Sequence, residues 1–564
     1  MTTGVWRLTA IGALIAALLG PSMGCRRSRL PPRADGAAVV VAGDVVAGET
    51  DVVFAAEKEP NDNISAAQKL DLGAAQPGQA PGLAPGIDGH ISPPQGKTRD
   101  VDVFRVLVPA PPGTVAGDAG TAPLRRRLDI EVRPEASLAV IVEALDDLGQ
   151  PLLSAAGGQP GEAEAIPNLS VTPGTYFVRV RGAGNSAAGA YRLVTRLLPL
   201  EVGEELEPNG KAALATEAPA SGEMIGYHGW RHDQDWYRVA LAGLAEGSVL
   251  SIDLEAVPGV TASLLVQDAA ERKLTEVRGR KEERVAVRNI RLPASEPHVF
   301  LAVRTESGRN VKVRYNLRLR TEVPRAGGEL EPNDEPARAQ AISDGVTMGY
   351  LGRGDVDMYR LTSPGPVELD IEVAPPERVD VKLEVVRESD GAVLAKADAG
   401  KRQEAERLPN LYSAGGPVLI RLSGNKGDGN PDEPYRLTVS SRPPDPAGER
   451  EPNGSAASRT PLAVGATGTG LLFPRGDVDL WQVTAAADAA GTVPVTVTGI
   501  AGLVLDVRVM SHADQELGRF KVAANAPSSN RIATGGAPCC VIVVRESTGK
   551  VGNPRDRYTL VVGP

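Results

Sequence analysis

One phrase recurs four times along the chain: Glu-x-Glu-Pro-Asn, at 57–61 (EKEPN), 205–209 (ELEPN), 329–333 (ELEPN) and 449–453 (EREPN). Repeats spaced by roughly 120 to 150 residues are too long for a solenoid and indicate tandem whole domains. The rest of each unit repeats in step. An Ala-rich stretch such as SAAQKL or ARAQAI comes first, then an Asp-x-Asp step into an apolar strand: RDVDVFRVLV, HDQDWYRVAL, GDVDMYRLTS and GDVDLWQVTA. Alternating strands such as RLDIEVRP and ELDIEVAP follow, and two strands close the unit, for example GTYFVRVRG then AYRLVTR.

A chain of 564 residues exceeds what one hydrophobic core can organise. Its 63 Gly and 46 Pro, set among Val-rich runs, favour many short strands joined by turns. Strands of five to eight residues with one apolar face, antiparallel by their short turns, predict a β-sandwich of about 110 residues per unit. The fold class is therefore all-β: tandem jelly-roll-like β-sandwich modules, beads on a string. They span 54–199, 200–321, 322–443 and 444–564. In the first, 39 residues separate Asn61 from Asp100, against 22 to 24 in the others. The excess, a Pro/Gly-rich insertion at about 74–98, reads as a mobile loop.

The N-terminus carries Arg7, an apolar run over 8–19 and small residues ending at Gly24-Cys25. This reads as an export signal over 1–25, too short to span a bilayer, followed by a basic, Pro-containing tether over 26–53. Cys25 directly after Gly24 resembles the lipobox of bacterial lipoproteins, with Ser22 standing where that motif usually has Leu. The resemblance implies that Cys25 is acylated and anchors the chain to a membrane. Arg26 in place of a retention Asp points to the outer membrane. Of the three Cys, Cys539 and Cys540 are adjacent, so they should face opposite ways on a strand and not bridge. No disulfide framework is expected.

A net charge of −10 excludes nucleic acid as a partner, since phosphate binding needs a basic face. The most basic stretch, 271–292, interleaves Glu with Arg and Lys and reads as a solvated strand pair.

Glu-x-Glu-Pro-Asn-Asp, the Ala-rich follow-on, Gly-Asp-x-Asp-aromatic, a late Gly-Thr-Tyr-x-Val-Arg-Val and a final Ala-Tyr-x-Leu resemble the bacterial pre-peptidase C-terminal (PPC) domain. The resemblance covers about nine-tenths of the chain as four copies, units one and three matching best. It implies a jelly-roll-like sandwich that serves secreted proteins as an accessory. The similar collagen-binding domain of clostridial collagenases implies calcium on the N-terminal acidic segment.

The residues make calcium plausible on their own. Calcium wants six to eight hard oxygens. On an extended segment Glu57 and Glu59 share a face about 7 Å apart. Asn61 and Asp62 add oxygens, and Asp100 and Asp102 share a face opposite. Unit three repeats the set with Glu329, Glu331, Asn333, Asp334, Asp355 and Asp357. Units two and four offer weaker sets, having Gly210 and Gly454 in place of the fifth carboxylate: Glu205, Glu207, Asn209, Asp233 and Asp235, then Glu449, Glu451, Asn453, Asp477 and Asp479. The competing reading is turn chemistry, with Pro at the second position and Asn-Asp or Asn-Gly in left-handed positions after it.

His228 and His232 beside Asp233 and Asp235 form a minor zinc candidate. Arg-Gly-Asp at 353–355 and 475–477 is the repeat's own turn. Phe104, Tyr237, Tyr359 and Trp481 occupy one repeated position and read as core. The sequence contains no His-Glu-x-x-His, no Gly-x-Ser-x-Gly and no phosphate loop. The expectation is a non-catalytic, lipid-anchored envelope protein binding an unidentified extracytoplasmic polysaccharide or protein. Alternatives are a passive stalk, a subunit of an envelope complex, or an accessory subunit of a secreted peptidase.

Overall fold

The computed structural model covers residues 54–70, 72, 86–96, 98–110, 124–184, 187–535 and 539–563. The signal, Cys25 and the tether lie outside the described residues, as does most of the first unit's insertion.

The chain folds into four β-sandwiches, each of two sheets. The first sheet of every module holds the strand that begins at the Asp-x-Asp step, here called the Asp-strand: Val101–Val108, Gln234–Ala240, Val356–Ser363 and Val478–Ala485. The second sheet holds the closing strand: Gly189–Leu198, Asn310–Glu322, Asn430–Arg442 and Asn553–Val562. Beside the closing strand runs a short Gly-strand: Gly86–Ile91, Glu223–His228, Gly345–Leu351 and Thr467–Leu472. In modules 2 to 4 the Gly-strand is one edge of that sheet. Alternation of apolar and polar residues drives one face of each sheet inward, producing four separate apolar cores. Phe104, Tyr237, Tyr359 and Trp481 are fully buried in them, as the repeat predicts.

Three local expectations change. Not every pairing is antiparallel: the Ala-rich stretch ends in a short strand that runs parallel to the Asp-strand, as Gln68–Leu70 does beside Phe104–Val106. Residues 86–91 are not part of a loop. Gly-Ile-Asp-Gly-His-Ile alternates, Ile87 and Ile91 enter the core, and the segment is the first module's Gly-strand. Cys539 and Cys540 bridge to each other. The peptide between them is cis, and both side chains are buried. This bridge closes no loop and gives no framework.

The recurrent phrase joins one module to the next. Its first residues pair with their own module's Gly-strand: the Glu205 N–H donates to the Ile225 carbonyl at 2.9 Å, and the equivalent bond at Glu329 reaches Met348. Its second Glu pairs with the far edge of the preceding module's second sheet. The Glu207 N–H donates to the Asn168 carbonyl (2.9 Å), and the Ser170 N–H donates back to Glu207 (2.8 Å). The same parallel bridge links Ile290 with Glu331 and Leu411 with Glu451.

The receiving strands are Glu164–Val171, Val285–Arg291 and Glu406–Ser413, and we call them socket strands. Each contains a bulge at which two residues face one on the neighbouring strand. The second bulge residue is Asn168, Asn289 or Asn410, all with positive φ, which Asn tolerates better than most residues. The equivalent strand of module 4, Pro527–Ala533, pairs without a register shift and has no such Asn. Ion pairs flank the joints, among them Arg309–Glu164 (2.5 Å) and Arg284–Asp432 (2.7 Å). The stretch 271–292 is therefore not a solvated pair throughout. Lys273–Lys281 is a largely exposed edge, but Val285–Arg291 is mostly buried and is a socket strand.

Because the cores are separate, Trp481→Ala should destabilise module 4 by about 3–5 kcal/mol. In calorimetry one transition should move down while those assigned to the first three modules stay in place.

Candidate metal sites at the module joints

At each phrase the two Glu and the two Asp of the Asp-strand converge from segments distant in sequence. Carboxylate oxygens lie within 4.8 Å of one another in Glu57/Glu59/Asp102, Glu207/Asp233/Asp235, Glu329/Glu331/Asp357 and Glu449/Glu451/Asp479. In module 3 Asp334 and Asp355 join Glu331 in a second such group. Asp62, Asp100, Glu205 and Asp477 fall outside these tightest groups. Asp62 is exposed, whereas Glu205 is buried among its neighbours. Burial differs between modules: all three carboxylates are buried in modules 2 and 3, two of three in module 4, and only Asp102 in module 1. Module 2 was expected to be a weaker site than module 1, yet its cluster is the more enclosed.

The scaffold around the carboxylates repeats. The first Glu accepts a backbone N–H from the Gly-strand: His90 to Glu57 (2.7 Å), Tyr227 to Glu205 (2.8 Å), Tyr350 to Glu329 (2.8 Å), Leu471 to Glu449 (2.6 Å). The second Glu accepts the N–H of the Asn two residues on, at 2.8–3.1 Å in all four. The first Asp caps the end of the Gly-strand, accepting from Ser92, Gly229, Gly352 or Phe473. This is the work done by the Asp of both Arg-Gly-Asp triplets, which leaves those carboxylates occupied.

The phrase's Asn residues do not adopt the left-handed turn. None of Asn61, Asn209, Asn333 and Asn453, nor the Asp or Gly after each, has positive φ; instead each preceding Pro follows a cis peptide. All four Asn are fully buried. They are kept for their side chains, and for carbonyls that accept from the Asp-strand, as Asn61 does from the Val103 N–H (3.1 Å).

A tyrosine of the closing strand supplies a contact that sequence reasoning did not assign. Tyr191, Tyr315 and Tyr558 donate their O–H to Asp102 (2.6 Å), Asp235 (2.8 Å) and Asp479 (2.7 Å), while Tyr435 donates to Glu329 (3.3 Å). Opposite each ring stands a glycine of the Gly-strand, Gly89, Gly226, Gly349 or Gly470, where a Cβ would collide with the tyrosine. The signal was present in the sequence, since both the Tyr of the final Ala-Tyr-x-Leu and this Gly recur in all four units. The socket asparagines were legible in the same way, in PNL, RNI and PNL, but only three times.

Removal from water, reinforced by neighbouring negative charge, pushes the carboxyls upward. Asp102 and Glu451 rise to about 9, and Asp355 and Asp477 to about 7. Glu207, Asp235, Glu331, Asp357 and Asp479 also lie well above the usual range for the same cause. Buried polar atoms without a partner gather at these clusters: both side-chain atoms of Asn209, and Oδ1 of Asn61, Asn168, Asn453, Asp102, Asp235 and Asp479. Hard oxygens lacking donors, on carboxyls resisting ionisation, are a donor set that fits a divalent cation such as calcium. His228 does not contribute. It is buried, bonded through Nδ1 to Thr305 Oγ1 (2.7 Å) and tilted against the Tyr315 ring, while His232 is exposed.

The raised carboxyls set a direction for pH. A carboxyl whose folded pKa is raised stabilises the fold while protonated. That contribution is complete below the unfolded values near 4 and is lost as pH rises through about 7 to 9. Protein held in a chelator should therefore melt higher at pH 6 than at pH 9. Saturating calcium should remove or reverse that slope, because the cation binds the ionised form. Thermal melts over this range check both.

No family model matches the chain, and no curated protein does. Solved structures with some similarity include the CUB1-EGF-CUB2 domain of human MASP-1/3, at 9% identity over 39% of this chain and 99% of that one, TM-score 0.15. The BSP domain of a biofilm-associated protein matches at 10% identity over 79% and 93%, TM-score 0.13. The M60 catalytic domain with the CBM51-1 and CBM51-2 domains from Clostridium perfringens ZmpB matches at 12% identity over 60% and 33%, TM-score 0.12. None superposes well enough to assign a function.

Proposed function

We propose that the chain is a non-catalytic, exported array of four PPC-like β-sandwiches, anchored through an acylated Cys25 and presented to a polysaccharide or protein outside the cytoplasm. Calcium in the acidic clusters holds the array in shape. One observation carries this reading: the chemically distinctive side chains recur at the same structural place in every module, and in modules 2 to 4 they are largely buried where modules meet rather than lining an open cleft. A reacting group needs access to substrate; a brace needs burial and repetition. Glu57, Glu59, Asn61 and Asp102, with their equivalents in the other modules, would hold the ion, which would supply positive charge and nothing more.

The same observation favours a stiff spacer over loosely strung modules, and an internal deletion separates a spacer from a binding array. Removing residues 322–443 brings the phrase at 449–453 to the socket at Asn289, so an equivalent joint can form. A spacer keeps its hold on isolated peptidoglycan or envelope polysaccharide with shorter reach. A binding array loses affinity steeply with each module removed.

The calcium reading has a sharper test. Replacing Asp102, Asp235, Asp357 and Asp479 with Asn mimics the protonated acid and, in modules 1, 2 and 4, keeps an acceptor for the tyrosine O–H. In chelator the variant should melt at or above the wild-type temperature. Calcium at a hundred times its Kd should stabilise each wild-type site by about 2.7 kcal/mol and leave the variant unmoved. Equal calcium shifts in both proteins would overturn the reading.

A further inference from the structure

The joints contain one residue that belongs to neither the phrase nor the Asp-strand. Asn168 lies in module 1, yet its Nδ2 donates to Oε1 of Glu205 in module 2 (3.3 Å). Asn410 of module 3 does the same for Glu449 of module 4, at 2.6 Å. Asn289 of module 2 is close enough to Glu329 of module 3 to favour its ionised form. Each is held from behind by the neighbouring strand of its own sheet: its N–H donates to Asp129 (3.0 Å), Ser251 (3.4 Å) or Asp370 (2.8 Å). Its carbonyl receives the phrase's second Glu at the first two joints. Asn168 and Asn410 are almost completely buried, and Asn168 Oδ1 has no partner.

In module 1 the first Glu is met differently. There Glu57 Oε1 accepts instead from the phrase's own Asn61 Nδ2 (2.8 Å). In module 2 the upstream Asn168 takes that place, and both side-chain atoms of Asn209 are left without a partner inside a sealed cluster. In module 4 both amides reach the first Glu, Asn410 at Oε1 and Asn453 at Oε2 (3.3 Å), and the phrase's amide oxygen has no partner at Asn61, Asn209 or Asn453. The bulged Asn is present at each of the three joints.

We propose that each joint is one composite cation site, with its ligands from the downstream module and its positioning amide, Asn168, Asn289 or Asn410, from the upstream module. A single cation then fixes two modules against each other. This rests on the calcium reading above but goes beyond it, since a site confined to one module would be indifferent to its neighbour. Outer-shell hydrogen bonds of this kind typically change metal affinity by 10- to 100-fold.

The test uses the full-length chain and three single variants, Asn168→Gly, Asn289→Gly and Asn410→Gly. Glycine accepts positive φ, so the bulge is kept while the amide is removed. Calcium titration by calorimetry should give four sites in the wild type and, in each variant, one site weakened about tenfold or more, with the module 1 site unaffected. Small-angle scattering should show a maximum dimension that differs between calcium and chelator, with the difference reduced in each variant. Melting curves in chelator verify that the variants fold; should one not fold, Asn→Asp at the same position also tolerates positive φ while removing the amide donor. Wild-type affinity at all four sites in every variant overturns the composite site and leaves calcium binding standing. No calcium binding by the wild type overturns both.

Discussion

Everything distinctive in this protein follows from placing several carboxylates together, away from water, at a boundary between domains. Ionised and unpaired, such a cluster would be strongly destabilising, because desolvation and mutual repulsion act in the same direction. The fold surrounds it with donors: backbone N–H groups of the Gly-strand, the phrase's own backbone, and a tyrosine hydroxyl. These are neutral donors, and in modules 2 and 3 no arginine or lysine bonds directly to the clustered groups. The charge is left for a proton or a cation to balance. Evolution of a merely structural joint would have had simpler means, since Arg–Glu pairs such as Arg309–Glu164 already serve the rim of the first joint.

The same phrase addresses the edge-strand problem of an open sandwich. The second sheet of modules 2 and 3 ends in two unpaired edges, the Gly-strand and the socket strand. Exposed edges invite pairing with other chains. The start of the phrase bridges to the first edge, and the next module's phrase bridges to the second. Continuity between modules and protection of their edges are therefore one arrangement. The glycines opposite the closing tyrosines belong to it as well, because only there can a tyrosine ring cross beneath the edge and bring its hydroxyl to the carboxylates.

The number of modules, the sandwich class, the aromatic core position and the acidic residues were legible because each depends on local periodicity or on a motif repeated in register. What was not legible depends on a partner elsewhere in the chain. Asn168, Asn289 and Asn410 make sense only once the next module's Glu is placed beside them. The turn reading of Pro-Asn failed because nothing local distinguishes an Asn needed for φ from one needed for its amide. Residues 86–91 were assigned to a loop because the Pro and Gly around them outweighed a two-residue alternation of only six residues. Position in the joint, not composition, also decides how enclosed each acidic cluster is. Counting carboxylates favours modules 1 and 3, but the extra Asp62 and Asp334 are exposed, and enclosure is greatest in modules 2 and 3.

The modules differ in how their phrases and socket strands are met. Module 1 has a phrase whose acidic cluster is largely open and whose Glu57 is satisfied by its own Asn61. Module 4 has a regular strand where the others have a socket. At each of the three joints a bulged socket strand and the following phrase supply hydrogen bonds to each other: the second Glu bridges to the socket strand, and at the first and third joints the socket Asn donates to the first Glu. The modules are alike in fold but not interchangeable, and their order along the chain is part of the structure.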